Sequence, residues 1–135
     1  MSGWPSHLAA SAVRFARPTA RLDACVEFYR DVLGLGVLAE FRNHDGYDGV
    51  VFALPDGSVQ LELTQHASAP APPPPTAEHQ LVFYVGDEAT LALAASRLRA
   101  HGVRPVPAEN PYWGRRGALA FLDPDGWVVI VAPWS

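Results

Sequence analysis

Apolar and polar positions change period along this chain in an order that occurs twice. Ala12 to Arg17 alternates and ends at Pro18, which predicts a first strand. Leu22, Val26, Tyr29 and Leu33 follow at helical spacing, with Thr19 as the expected cap and Gly34 as the stop. Leu35 to Phe41 predicts a second strand, and the polar, Gly-punctuated Arg42 to Gly49 predicts a loop. Val50 to Leu54 and Val59 to Thr64 predict strands three and four. In the fourth, Val59, Leu61 and Leu63 share one face, while Gln60, Glu62 and Thr64 share the other.

The second half runs through the same series. Gln80 to Val85 predicts a strand. Asp87 would cap a helix through about Ala100, with Leu91, Ala94, Ala95 and Leu98 inward and Gly102 just past its end. Val103 to Pro107, with two prolines, predicts a short edge strand. Glu109 to Val131 predicts a polar loop, a strand, a tight Asp123-Pro124-Asp125-Gly126 turn and a last strand. Phe15 and Phe83, Gly34 and Gly102, and Gly49 and Gly117 each lie 68 positions apart, while Asp56-Gly57 and Asp125-Gly126 lie 69 apart. A long period present twice indicates a duplicated module. The expected fold class is α+β: one domain of two tandem βαβββ modules. Module one covers about residues 11–66 and module two about 78–134. Residues 67–77, with five of the 13 prolines, form a semi-rigid spacer.

Composition narrows the function classes. A chain of 135 residues is long enough for one substantial core. A net charge of -4 disfavours nucleic acid as a partner. Cys25 is the only cysteine, which excludes an intrachain disulfide, and its expected place is buried on a helix. No apolar run is long enough for a membrane span, and the first residues lack a secretory pattern. The expected compartment is the cytoplasm.

Phe28-Tyr29 and Val32-Leu33-Gly34-Leu35, Leu61-Glu62-Leu63-Thr64, Phe83 and Val85 before Asp87, and Asp123-Pro124-Asp125-Gly126 occur in an order that resembles the vicinal oxygen chelate superfamily. That group includes glyoxalase I, the bleomycin-resistance proteins and the extradiol dioxygenases. The resemblance implies a cup-shaped, curved mixed β-sheet around one site, and a homodimer. Many members hold a divalent metal on four strand residues. The matching positions are Glu62, Gln80, Ile130 or Val131, and Arg14 or Ala12. Arginine has no lone pair to give, and Ala, Ile and Val offer no donor. One carboxylate and one amide oxygen are too few for a tight transition-metal site, so no cofactor is expected.

Two groups of candidate residues remain. Glu62 is the candidate general base, or a structural carboxylate paired with Arg14. His44, Tyr47, Asp48, Asn110, Tyr112, Trp113, Arg115 and Arg116 sit in two loops at repeat-related positions and could rim one ligand pocket with Arg14, Glu62 and Gln80. The favoured expectation is a small-molecule-binding protein of the drug-sequestering kind, whose acidic surface would favour a cation. The alternatives are a lyase, isomerase or oxygenase using other metal ligands or none, and a partner-binding module with a filled cup and exposed Trp4, Trp113 and Trp134.

Overall fold

A computed structural model describes residues 3–134. After a single 3-10 turn, Ser6–Leu8, module one consists of β1 (Val13–Pro18), α1 (Leu22–Val26), β2 (Val37–His44), β3 (Tyr47–Ala53) and β4 (Val59–His66). Module two consists of β5 (Gln80–Val85), α2 (Glu88–Ala100), α3 (Pro111–Arg115), β6 (Leu119–Leu122) and β7 (Val128–Pro133). The strands form two sheets, in the orders β1-β4-β3-β2 and β5-β7-β6. In each, the first strand runs parallel to the last and the remaining pairs are antiparallel. The duplication therefore holds at the level of topology.

Four local expectations are corrected. The predicted loop Arg42 to Gly49 is a hairpin, with β2 and β3 running up to Asp45-Gly46. Asn43 and Asp45 adopt φ of 51°, and Gly46 adopts 87°. The predicted strand Val103 to Pro107 is reduced to one bridge, Val106 to Ala120, because its prolines have no N–H to pair. The predicted polar loop contains α3, where Asn110 Oδ1 accepts from Tyr112 N at 2.9 Å. Thr19 does not cap α1 through its side chain. Its hydroxyl accepts from Arg21 N at 3.0 Å, and Gln65 Oε1 accepts from Leu22 N at 2.9 Å.

The first helix also departs from regular α geometry. After Val26 it widens into a π-helical stretch, Glu27–Val32, where Leu33 N donates to Phe28 O at 3.0 Å. Phe28 and Tyr29 are both buried there and meet edge to face at 5.0 Å. Gly34 ends the helix at φ 84°, as its position predicted.

One core joins the modules. Leu61, Leu63, Val50 and Phe52 of the first sheet pack with Phe121, Val129 and Val131 of the second, around Phe28, Tyr29 and Leu98. Both sheets thus turn the same kind of face, the helix-covered one, towards this core. The opposite faces point away from it. In module two that outer face is covered by Trp113, packed with Ala120, Val128, Ile130 and Ala132. In module one it is partly open: Arg14, Ala16 and Pro18 are exposed and Gln60, Glu62 and Thr64 half-buried, while Val51 and Ala53 are buried.

Candidate functional site

The open face is built by alternation. Along β4, Gln60, Glu62 and Thr64 point away from the core while Leu61 and Leu63 enter it. Their register partners on β1 are Arg14, Ala16 and Pro18. Those on β3 are Ala53, Val51 and Gly49. Arg14 Nε donates to Gln60 Oε1 at 2.8 Å, and its Nη1 lies 3.9 Å from Glu62 Oε2. The side chains of Arg14 and Glu62 are 47% and 19% exposed. Glu62 is thus a partly buried carboxylate beside an arginine, a placement shared by a paired carboxylate and a base.

Further along the same sheet, Phe41, His44, Asp45, Tyr47 and Thr64 line an open depression of about 460 Å³. Phe41 lies directly over Gly49, where a Cβ would overlap its ring. Tyr47 meets the His66 ring edge to face at 4.8 Å, and Phe41 meets His44 at 6.2 Å. His66 Nδ1 accepts from Ser68 N and Ala69 N at 3.1 and 3.0 Å, which fixes its ring and requires that nitrogen to carry no proton. Asp48, a predicted ligand contact, is used locally: it accepts from Asn43 N at 2.9 Å and from Arg42 Nη1 at 3.3 Å. The Asn43 N–H first, then Arg42, hold its carboxyl below the ordinary range.

Module two presents a different set. Gln80 Oε1 accepts from Trp113 Nε1 at 2.9 Å. Trp113 is buried, unlike the exposed tryptophan that the partner-binding alternative would require, whereas Trp4 and Trp134 are 70% and 69% exposed. Tyr112 stacks edge to face on Trp113 at 5.0 Å, and the Arg116 guanidinium lies 5.4 Å from the Tyr112 ring centre. Asn110 serves as the α3 cap, and Arg115 is exposed. The predicted two-loop rim is therefore divided: His44, Tyr47 and Asp48 stand on one sheet, and Asn110, Tyr112, Trp113 and Arg115 beside the other. The chain does not bring them into one pocket.

The register also decides between the alternative positions. Ile130 lies on the outer face with Trp113, while Val131 enters the core. Arg14 stands in β1, and Ala12 precedes it. The four positions are thus Arg14, Glu62, Gln80 and Ile130, and the amide oxygen of Gln80 is already engaged. Among the described residues no three His, Cys, Asp or Glu side chains converge. The neighbouring His79 faces Trp127, on the side of the strand opposite to Gln80. This donor set does not fit a divalent metal.

One polar cluster escaped the sequence reading. Arg17, 4% exposed, binds the Asp123 carboxylate and donates to Asp125 Oδ2 at 2.9 Å. Tyr29 OH donates to Asp123 Oδ2 at 2.6 Å, and Trp127 lies 5.1 Å from the guanidinium carbon. Burial opposes ionisation of Asp125, but hydrogen bonds from Thr19, Arg17 and Cys25 hold its carboxyl below the usual value. Burial, reinforced by Asp125, pushes the Cys25 thiol up to about 12. The signal was present in the repeat. Arg17 corresponds to Val85 and Asp123 to Leu54, so opposite charges interrupt the duplication at two apolar positions.

Comparison with known proteins agrees with this geometry. Residues 13–64 match the YycE-like N-terminal domain, and residues 78–132 match the YycE-like C-terminal domain. YycE of Bacillus subtilis (strain 168), an uncharacterized protein, is 42% identical over 125 residues, covering 93% of this chain and 89% of YycE. Its crystal structure superposes with a TM-score of 0.84 over 91% of this chain and 89% of that one. The trypanothione-dependent glyoxalase I of Leishmania major superposes at 0.71 with 19% identity, over 93% and 87% of the two chains. TnmS3, an antibiotic-binding protein from Streptomyces sp. CB03234, superposes at 0.68 with 24% identity, over 94% and 98%. At those two identities the likeness is one of fold. No helix among the described residues is long and apolar enough to cross a membrane. The chain belongs to the YycE-like family, and its two modules carry the glyoxalase/bleomycin-resistance/dioxygenase fold of the vicinal oxygen chelate superfamily.

Proposed function

We propose that this protein binds a small organic molecule on the open face of module one and captures it without metal chemistry. The observation that carries this reading is the uncovered outer face of the first sheet, with Arg14 and Glu62 on its floor and Phe41, His44 and Tyr47 around a depression. Aromatic rings supply apolar area and the floor supplies directional polar groups, the usual composition of a ligand site. The antibiotic-binding function of TnmS3, which shares the fold, supports the same reading.

The reading includes a homodimer. Because the outer faces point away from the common core, a second copy could bring its Tyr84 and Tyr112 over the Arg14–Glu62 face. That arrangement would close the cup and unite the two halves of the rim. The alternative, an enzyme of glyoxalase or dioxygenase type, needs metal ligands other than the four strand positions. Elemental analysis separates the two, since a stoichiometric transition metal would replace the capture reading.

Calorimetric titration with a panel of aromatic metabolites and amphipathic ions tests binding directly. At least one should bind, and Tyr47→Ala should weaken it by about fivefold, the loss of one ring contact of about 1 kcal/mol. A panel without a binder, or a binder indifferent to Tyr47→Ala and Glu62→Ala together, would reject the site.

A further inference from the structure

The geometry points to an elongated aromatic acid as the ligand class of this face: a ring at one end, a carboxylate at the other and a hydrogen-bond donor between them. This inference rests on the binding reading above and adds polarity and length to it.

Three positions along β4 divide the face. Gln60, beside Arg14, marks one end, Glu62 the middle, and Thr64, at the edge of the aromatic depression, the other end. Four residues of strand separate Gln60 from Thr64, about 13 Å at ~3.3 Å per residue. The cation that lacks a hydrogen-bonded carboxylate is at one end only, since Arg42, near the other, is held by Asp48. Arg14 is held by its Nε edge, which donates to Gln60 Oε1 at 2.8 Å. Gln60 Nε2 donates to Gly57 O at 2.8 Å, which fixes the amide with its oxygen towards the arginine. The 3.9 Å separation between Nη1 and Glu62 Oε2 exceeds a hydrogen bond. The two terminal nitrogens of Arg14, half exposed, therefore keep donors for an anionic oxygen, in a planar fork suited to a carboxylate.

Glu62 supplies the complement. It is acceptor-only when ionised, so it disfavours a ligand carboxylate at mid-length and favours an N–H or O–H there. Beyond it, Phe41, His44 and Tyr47 take a ring. Of the acids near that end, Asp48 binds Arg42, while Asp45 is exposed and lies 3.7 Å from His44 Nε2. The chain's overall negative charge, which favoured a cationic ligand from composition alone, is thus opposed locally by the placement of Arg14.

Hippurate carries these three groups in this order. Hippuramide and N-(2-aminoethyl)benzamide keep its ring and amide N–H but end in a neutral and a cationic group. Titration calorimetry at low salt should rank hippurate at least tenfold tighter than hippuramide, with the cation weakest. Arg14→Gln should erase that difference, and Arg14→Lys should restore part of it. Equal affinities, or a preference for the cation, would overturn the inference and leave the binding site standing. The inference also falls if none of the three binds although another panel compound titrates to the face. Failure of the whole panel instead removes the binding reading itself. Circular dichroism of each variant confirms that the comparison is made on folded protein.

Discussion

Arg17 shows how much one side chain organises here. It is buried, charged and answered by Asp123 and Asp125, two carboxylates from the other module. Removing one member of a buried ionic cluster leaves the others without compensation, at a cost of about 3 kcal/mol. Arg17→Met should therefore lower the urea midpoint sharply, while Arg30→Met, which breaks an exposed pair with Asp31, should not move it. Asp125 adds a pH dependence whose sign is fixed. Its folded pKa is depressed, so its contribution is complete above the unfolded value of about 3.9 and is lost as pH falls through the folded value. Asp125→Asn should flatten the acid limb of the stability profile below about pH 4, measured by urea melts at successive pH values. The clasp was legible in principle, because Arg17 and Asp123 stand where the duplicated partners are Val85 and Leu54. Read one element at a time, Arg17 was only the last residue of a strand and Asp123 a turn residue.

At the scale of elements, the readings that succeeded had one buried and one open face. The fourth strand alternates Leu61 and Leu63 with Gln60, Glu62 and Thr64, and its two faces went where alternation put them. The β2–β3 hairpin was missed because β2 is an edge strand exposed on both sides, so nothing in Arg42 to His44 alternates. The π-helical stretch left no mark either, since the Leu22–Leu33 stripe fits a regular helix and accounts for Tyr29 but not Phe28. Gly49 is the element-scale residue with the clearest consequence. Its missing side chain lets Phe41 lie across the strand pair. Gly49→Val should displace that ring, destabilise the sheet by about 2 kcal/mol as overpacking does, and reduce ligand affinity more than Gly57→Val. Thermal melts and calorimetry together check both effects.

For the whole molecule, the duplicated topology was readable from spacing alone, because glycines and the Asp-Gly turns recur at nearly constant distance. The direction in which the two faces look was not. Alternation assigns residues to opposite faces of a sheet but does not say which face meets the other module, and here the apolar, helix-covered faces met. That outcome divided the predicted ligand residues between two outward surfaces. It also makes assembly a quantitative expectation: sedimentation should show a dimer at micromolar concentration, and Tyr112→Glu should shift it towards monomer while leaving the unfolding midpoint of the monomer unchanged. A monomer at all concentrations would leave the split rim unexplained.

The Arg17–Asp123 clasp has an evolutionary corollary. Two identical ancestral halves could associate in either sense, yet the present halves are no longer interchangeable. A chimera of two first halves would bring an arginine against Leu54, and one of two second halves would bring an aspartate against Val85. The first would keep only Asp56, the counterpart of Asp125, for its arginine, and the second would set two carboxylates against no cation. The charges at these sites make the contact between the halves a lock and its key, fitting in one sense only.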